Sequence, residues 1–212
     1  MSSSTRKNLF KFVLVILILY FFIYENSEGY LNFSQHGYDK VWTARAAFDS
    51  GTLNDIKREF ANNLDKLKPE QNSFVLSNRK QFIPATTSVV TRALQDKTFI
   101  SRLEKIIGSP HKLVLNTTTL PPAYREYGID SEMRWHRDTS LTNVPQYEVV
   151  ITLSNNSDSQ FLWKHEKQEL INRAETSANN LVIVRAGGIK HAVSPVTRGK
   201  RVIIKAAYDV KK

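Results

Sequence analysis

The chain contains no cysteine, so no disulfide bond holds any part of it together. The cysteine count therefore does not decide between an oxidising and a reducing cellular compartment. The chain also has no internal repeat and no low-complexity tract, which excludes the repeat architectures that depend on such periods. Its 212 residues give room for one domain of modest size together with a short anchor.

The sequence also lacks a long basic block, although its net charge is +10. Arg6, Lys7 and Lys11 precede an apolar run, and the other basic residues are spread over the rest of the chain. A charge of this sign favours an acidic substrate or a surface close to a membrane. Composition alone leaves nucleic acid open as a partner.

Two histidines and one aspartate form the most informative pattern that is present. His136 and Asp138 stand two positions apart, so both side chains reach the same face of an extended strand. His191 follows after a stretch long enough for several strands, and Arg201 begins the apolar run 202–204. Two imidazoles and one carboxylate suit non-haem Fe(II), because three protein ligands leave positions open for a co-substrate and oxygen. The guanidinium of Arg201 matches a carboxylate with two parallel hydrogen bonds.

The wider context of these residues resembles the Fe(II)- and 2-oxoglutarate-dependent dioxygenases, and within them the prolyl 4-hydroxylase-like branch. A Tyr-Gly pair, Tyr127 and Gly128, precedes the first histidine, as it does in that family. The family's distal segment is His-x-Val-x-Pro-Val-Thr-x-Gly-x-Arg, and its fixed positions are met by His191, Val193, Pro195, Val196, Thr197, Gly199 and Arg201. The resemblance covers residues 113–208, less than half of the chain.

The resemblance implies a role for each residue of the pattern. By this comparison His136, Asp138 and His191 are the iron ligands. Arg201 is expected to bind the distal carboxylate of 2-oxoglutarate, and Tyr127 to hydrogen-bond the same group. The implied cofactors are Fe(II), 2-oxoglutarate, O2 and ascorbate. The implied substrate is a protein or peptide side chain, with proline favoured, and its hydroxylation releases succinate and carbon dioxide.

The chain also departs from the family at three places near the expected substrate. Residues 157–161 replace a common Gly-Gly-Glu-Thr turn, Ala207 stands where a tryptophan is common, and Trp135 stands where a proline is common. None of these changes removes a ligand, but all of them alter the walls of the pocket. They weaken the assignment of proline more than the assignment of an oxygenase.

Each residue of the pattern also has an ordinary structural interpretation. A His-x-Asp pair occurs on many exposed strands, a single histidine is often a hydrogen-bonded core residue, and Tyr127 or Arg201 can belong to a plain strand. The ordered combination favours the metal site. The remaining histidines lack such a context and are interpreted as non-ligands: His36, His111 and His165.

Two other kinds of function stay open at this point. One is a luminal interaction module that keeps the barrel and the metal as structure, without turnover. The other is an oxygenase acting on a small molecule or on nucleic acid. Oxygenases that repair alkylated bases carry Arg-x-Asn-x-Thr-x-Arg at the last strand. This chain has Arg-Val-Ile-Ile-Lys at 201–205 instead, so a nucleic-acid partner is not expected.

The N-terminal region predicts a membrane anchor. Residues 12–24 form a charge-free apolar run that, with residues 9–11, reaches about the shortest length able to span a bilayer. A cleaved signal peptide is the alternative, but no Ala-x-Ala site follows. Basic residues precede the run, so residues 1–11 are expected to be a cytoplasmic tail and the catalytic domain to face the lumen of the endoplasmic reticulum or Golgi. Three glycosylation sequons, at Asn32, Asn116 and Asn155, agree with a luminal domain.

The remaining pattern predicts a mainly β fold with flanking helices. Residues 25–50 are expected to be a polar connector, 51–110 a helical support and 111–212 the core of an oxygenase domain that spans 51–212. Helical periodicity predicts helices at 53–67, 86–94 and 97–107. Strands are predicted at 73–76, 113–118, 125–133, 147–153, 160–163, 181–185, 191–193 and 201–208. Antiparallel strands of this number and length indicate a double-stranded β-helix, the jelly roll of the cupins.

Overall fold

The computed structural model describes residues 37–70, 74–76, 78–165, 170–174 and 176–211. The predicted tail, the predicted anchor at 12–24 and the first part of the connector lie outside these residues. Within the described ranges, no helix is long and apolar enough to cross a membrane. The residues from Gly37 to Lys212 form one compact unit.

Three helices lie in the first half of the described chain, and each begins at a side-chain cap. They are α1 (Ser50–Ala61), α2 (Val89–Gln95) and α3 (Lys97–Ile107). The side chains of Asp49, Ser88 and Asp96 accept hydrogen bonds from backbone N–H groups of the first turns. Gly108 ends α3 in the left-handed conformation, with φ of 69°.

Two of the predicted helix bounds are corrected. Helix α1 ends at Ala61, whereas periodicity predicted a helix from 53 to 67, and the short 3-10 turn Leu64–Lys66 follows it. The Asn63 amide donates to the carbonyl of Glu59, so a side chain takes over an acceptor that a continuing helix would use. Helix α2 begins at Val89 rather than 86, because Ser88 adopts the extended backbone of a cap.

The described residues form 13 strands. In chain order they are β1 (Val41–Ala44), β2 (Lys68–Pro69), β3 (Val75–Leu76), β4 (Arg79–Phe82), β5 (Leu113–Leu115), β6 (Ala123–Tyr127), β7 (Glu132–His136), β8 (Gln146–Asn155), β9 (Phe161–Lys164), β10 (Asn172–Ala174), β11 (Leu181–Arg185), β12 (Lys190–Val193) and β13 (Arg201–Val210).

Antiparallel pairing arranges these strands in two sheets. The larger sheet has the order β1-β11-β8-β13-β6-β4-β2, with β5 paired to the end of β13, and the smaller has the order β10-β9-β12-β7-β3. The helices pack on the larger sheet, where the hydroxyls of Tyr124 and Tyr208 donate to Glu59 of α1 and to the Leu94 carbonyl of α2. This mainly β architecture agrees with the predicted jelly roll.

Four features of the prediction are wrong. The predicted connector contains a strand, β1, which pairs with Leu181–Val184 of β11. The single strand predicted at 125–133 is two strands, because a turn at 128–131 lets Ser131 bond back to the carbonyl of Gly128. The predicted helical support also contains β2 and β4, and β10 follows β9. Strands β2, β4 and β10 are short and mostly polar, so they carry little periodic signal.

Two of the predicted sequons have structural roles. Asn116 is buried and ends β5: its side-chain oxygen accepts from the N–H groups of 118–120, and its amide donates to Thr119 and Asp209. The amide of Asn155 donates to Thr176. The Asn116 amide is therefore not accessible to a glycosylating enzyme in the folded protein, and the third sequon, at Asn32, lies outside the described residues.

Candidate metal centre

The candidate centre lies between the two sheets, where β7 and β12 are paired. His136 is the last residue of β7 and stands directly opposite His191 of β12 in the strand register. Asp138 follows two residues after β7, and its carbonyl accepts a hydrogen bond of 2.6 Å from the N–H of Gly187. Antiparallel pairing therefore brings His191 beside His136 and Asp138, which lie more than 50 residues earlier in the sequence.

The three predicted ligands form one cluster of donor atoms. The Nε2 atom of His136 lies 3.5 Å from Oδ1 of Asp138, and Nε2 of His191 lies 3.2 Å from its Oδ2. All three donor atoms lie within 4.8 Å of one another. All three side chains are buried, so the cluster is a defined interior site rather than a patch of surface charge.

Backbone contacts fix the orientation of both imidazoles. Nδ1 of His136 lies 2.8 Å from the carbonyl of Arg134, and Nδ1 of His191 lies 3.1 Å from the carbonyl of Ile189. A carbonyl only accepts, so Nδ1 carries a proton in each ring, which leaves Nε2 to carry the lone pair of the neutral imidazole. Both lone pairs therefore belong to the nitrogens that face Asp138. This is the arrangement that a metal-binding histidine requires.

The buried polar atoms of the cluster fit a divalent metal ion. Among the described residues, His136 Nε2 is buried without a hydrogen-bond partner, which is a cost that a metal bond removes. Two imidazoles and one carboxylate form the facial set that binds non-haem Fe(II) and leaves other positions open. The residues present thus fit the iron that the sequence predicted.

A buried ion pair supports Asp138. The Lys205 ammonium lies 3.1 Å from Oδ1 of Asp138 and also contacts the carboxylate of Glu148. Burial by itself raises the pKa of Asp138, but the nearby positive charge and hydrogen-bond donors, with the Lys205 ammonium first among them, outweigh it and hold that pKa well below its usual value. Burial raises the pKa of Glu148 to about 7, and Lys205 opposes this rise. Asp138 is therefore a carboxylate, the form that binds a metal.

The three predicted ligands line a cavity between the sheets, and Arg201 lines the same cavity. Arg201 is almost wholly buried, with 1% exposure. Its Nη2 lies 3.3 Å from the Thr152 hydroxyl, while Nε and Nη1 have no hydrogen-bond partner among the described residues. Burial lowers the pKa of Arg201 to about 10. A buried guanidinium with unused donors requires an anion to compensate it, and a carboxylate offers the matching fork.

Tyr127 stands beside Arg201, its partner across the β6–β13 pair, and lines the cavity. Its hydroxyl accepts a hydrogen bond of 2.8 Å from Arg79, which also bonds Glu70 at 2.5 Å. The phenolic proton is therefore available to donate to a ligand. Arg79 and Glu70 hold Tyr127 in place, and sequence reasoning missed both, because their contacts join strands that no local pattern connects.

The other histidines do not contribute to the centre. His111 is exposed in the loop before β5, and His165 lies just after β9. Neither belongs to a group of described residues that could hold a metal. His36 lies outside the described residues. The structure thus places His111 and His165 outside the cluster of predicted ligands.

No protein-family model and no curated protein matches the chain. Solved structures do match its fold. A prolyl-4-hydroxylase from Pseudomonas putida has a TM-score of 0.64 at 12% identity, over 84% of this chain and 95% of that one. A prolyl hydroxylase from Trichoplax adhaerens, in complex with a hypoxia inducible factor peptide fragment, has a TM-score of 0.65 at 12% identity, over 84% and 87%.

The fold is that of the 2-oxoglutarate- and Fe(II)-dependent oxygenases. A third match is HygX from Streptomyces hygroscopicus, solved with nickel, 2-oxoglutarate and hygromycin B, with a TM-score of 0.59 at 13% identity over 87% of each chain. The His136–Asp138–His191 cluster lies between the two sheets of this fold. At such identities the likeness concerns the fold, so the chemistry is argued from the site itself.

Proposed function

We propose that the protein is an Fe(II)- and 2-oxoglutarate-dependent dioxygenase that hydroxylates a protein or peptide side chain, with proline as the favoured target. The observation that carries the proposal is the buried, largely unpaired Arg201 in the same cavity as a two-histidine, one-carboxylate cluster. The cluster accounts for a metal, and the unused guanidinium accounts for the carboxylate of a co-substrate. A structural metal site needs the first but not the second.

The residues of the site have separate tasks in this chemistry. His136, Asp138 and His191 would hold the iron, Arg201 would bind the distal carboxylate, and Tyr127 would donate to it. The iron, 2-oxoglutarate and O2, with ascorbate as a supporting reductant, would supply the oxidising chemistry that yields succinate and carbon dioxide. The protein contributes fixed ligand orientations and a buried pocket that excludes water.

A peptide substrate is supported by the fold comparison, since one matching structure is a prolyl hydroxylase with a peptide bound. A small-molecule substrate is the second candidate, because a matching structure of similar score holds hygromycin B. The chain departs from the prolyl 4-hydroxylase pattern at Ala207 and Trp135, so the choice between the two requires a direct assay.

Succinate formation by the full chain, with Fe(II), ascorbate and 2-oxoglutarate, tests the proposal. Proline-rich peptides are expected to stimulate succinate release, and His136→Ala is expected to abolish it. Slow succinate release that peptides do not stimulate would keep the oxygenase and reject those substrates. No succinate from folded, iron-loaded protein would reject the activity and favour an interaction module that keeps the metal as structure.

The cellular location is a further part of the proposal and rests on the sequence alone. Residues 12–24 would anchor the chain in the membrane as a single-pass protein, with the oxygenase domain in the lumen of the endoplasmic reticulum or Golgi. Protease protection in sealed microsomes tests this orientation. Degradation of the domain in intact microsomes would contradict it. Glycan mapping should use Asn32 or an added sequon, because the Asn116 amide is buried and bonded.

A further inference from the structure

A second cavity adjoins the metal cavity, and the chemistry proposed above does not use it. Its walls include Leu120, Pro121, Ala123, Arg125, Lys205 and Ala207. Arg125 and Lys205 also line the metal cavity, so the two cavities meet at a pair of cations. Because Lys205 contacts Asp138, a ligand in the second cavity would lie next to the metal-binding group.

Small side chains on two paired strands create the space. Ala123 of β6 pairs with Lys205 of β13, and Ala207 lies two residues after Lys205 on the same strand. Residues two apart on a strand share a face, so Ala207 points to the same side as Lys205 and Arg201. Leu120 and Pro121, in the loop before β6, add apolar walls. The cavity is therefore apolar at its sides and cationic where it meets the metal site.

Arg125 has most of its donors unused. Its Nη2 lies 3.3 Å from Oε1 of Glu70, but Arg79 lies closer to that same oxygen, at 2.5 Å. Among the described residues, the buried Nε of Arg125 has no hydrogen-bond partner. The side chain as a whole is 14% exposed. A guanidinium has five donors, and one long contact leaves most of them for a ligand.

Lys205 also has an unused donor. Its ammonium contacts one oxygen of Asp138 and one oxygen of Glu148. An ammonium has three protons to donate, so one remains. The side chain is 17% exposed although both of its partners are more deeply buried. Arg125 and Lys205 therefore offer donors to a shared acceptor where the cavities meet.

The charged side chains that line the two cavities indicate whether the acceptor in the ligand is neutral or negatively charged. Three cations, Arg125, Arg201 and Lys205, and two carboxylates, Asp138 and Glu148, line the two cavities. The charges of Fe(II) and of doubly ionised 2-oxoglutarate cancel each other. One positive charge then stays uncompensated in a buried site, where this is costly. A single carboxylate on the substrate would neutralise it.

We propose that this second cavity is a substrate subsite, in which Arg125 and Lys205 bind a carboxylate of the substrate. The peptide substrate would thus carry an acidic side chain close to the residue that is hydroxylated. This inference rests on the proposed function, because it places the subsite beside the reacting position. It narrows the substrate class from any proline-containing peptide to an acidic one.

Calorimetric binding to the full chain in detergent tests the subsite without turnover. The probes are blocked peptides that carry proline with aspartate at successive neighbouring positions, each beside its asparagine counterpart. We expect one aspartate peptide to bind about tenfold or more tightly than its counterpart, the strength of a charge-assisted hydrogen bond. Arg125→Gln should remove this preference, Arg125→Lys should retain part of it, and Lys80→Gln, on the exposed face of β4, should retain all of it.

The co-substrate distinguishes the subsite from Arg201. If the aspartate side chain of the peptide binds at Arg125, the preference for aspartate over asparagine persists with saturating 2-oxoglutarate. If the aspartate binds at Arg201 instead, 2-oxoglutarate competes with it and abolishes the preference. No aspartate preference at any position, or a preference that survives Arg125→Gln or disappears with 2-oxoglutarate, would overturn the inference. Succinate release by the wild-type chain is scored separately, so a failure of the oxygenase proposal is not confused with a failure of the subsite.

Discussion

At the residue scale, the site consists of buried charged side chains, each of which requires an oppositely charged group or a metal ion beside it. His136, Asp138 and His191 were found from the sequence, because their spacing and the distal segment form an ordered pattern. Lys205 and Glu148 were not found, although Lys205 interrupts an apolar strand on the same face as Arg201. That inward lysine was a usable signal. Its partner, Glu148, lies on another strand and carries no local signal.

Arg201 gives the first prediction. Arg201→Gln is expected to weaken 2-oxoglutarate binding by about 10- to 100-fold, because one or two charge-assisted hydrogen bonds are lost. Titration of the metal-loaded protein with 2-oxoglutarate measures this effect. Arg198→Gln, a change at an exposed position three residues earlier, is the control. Equal affinity in Arg201→Gln and Arg198→Gln would contradict the role of Arg201.

Lys205 gives the second prediction. Lys205→Met leaves two buried carboxylates, Asp138 and Glu148, without their shared cation, and should lower the free energy of unfolding by about 3–5 kcal/mol. Denaturant unfolding of the metal-free protein measures the change. Lys200→Met removes an exposed lysine paired with Glu126 and should cost less than about 1 kcal/mol. Similar losses in the two variants would show that the buried pair adds no special stability.

At the element scale, the loop between β12 and β13 sets the position of Arg201. Asp158, in the connection from β8 to β9, accepts hydrogen bonds from the Thr197 side chain and from the N–H groups of Thr197 and Arg198. Gly199 has φ of 68°, and a Cβ there would lie 2.3 Å from the Asn156 carbonyl, so this position requires glycine. The sequence pattern found this segment, but it assigned no role to Asp158.

Asp158 gives a prediction that depends on pH. Hydrogen bonds from Thr197 and Arg198 lower the pKa of Asp158 to about 2. Its folded-state pKa lies below the unfolded value of 3.8, so its contribution to stability is present above that value and is lost as the pH falls toward 2. The thermal midpoint of Asp158→Asn should therefore fall below that of wild type at pH 6, and the difference should shrink by pH 3. A difference that stays constant over this range would contradict the assignment, and Asp55→Asn on α1 is the control.

At the scale of the whole molecule, the jelly roll could be predicted because long buried strands such as β8, β11 and β13 have clear patterns. The short strands β1, β2, β4 and β10 could not, because pairing with neighbouring strands forms them rather than their own composition. The two-sheet arrangement has one chemical consequence. It places ligands from β7 and β12 opposite cations from β6 and β13 across one cavity.

The most direct test of this account is anaerobic calorimetry of the full chain, titrated with Fe(II) and then with 2-oxoglutarate. We predict one Fe(II) per chain in the wild type, with 2-oxoglutarate binding tightly only after iron is bound. His136→Ala, Asp138→Ala and His191→Ala should each lose iron, and with it the tight binding of 2-oxoglutarate. The central claim is that these residues and Arg201 form one co-substrate site. Undiminished iron binding in all three variants, or equally tight 2-oxoglutarate binding with and without the metal, would contradict it.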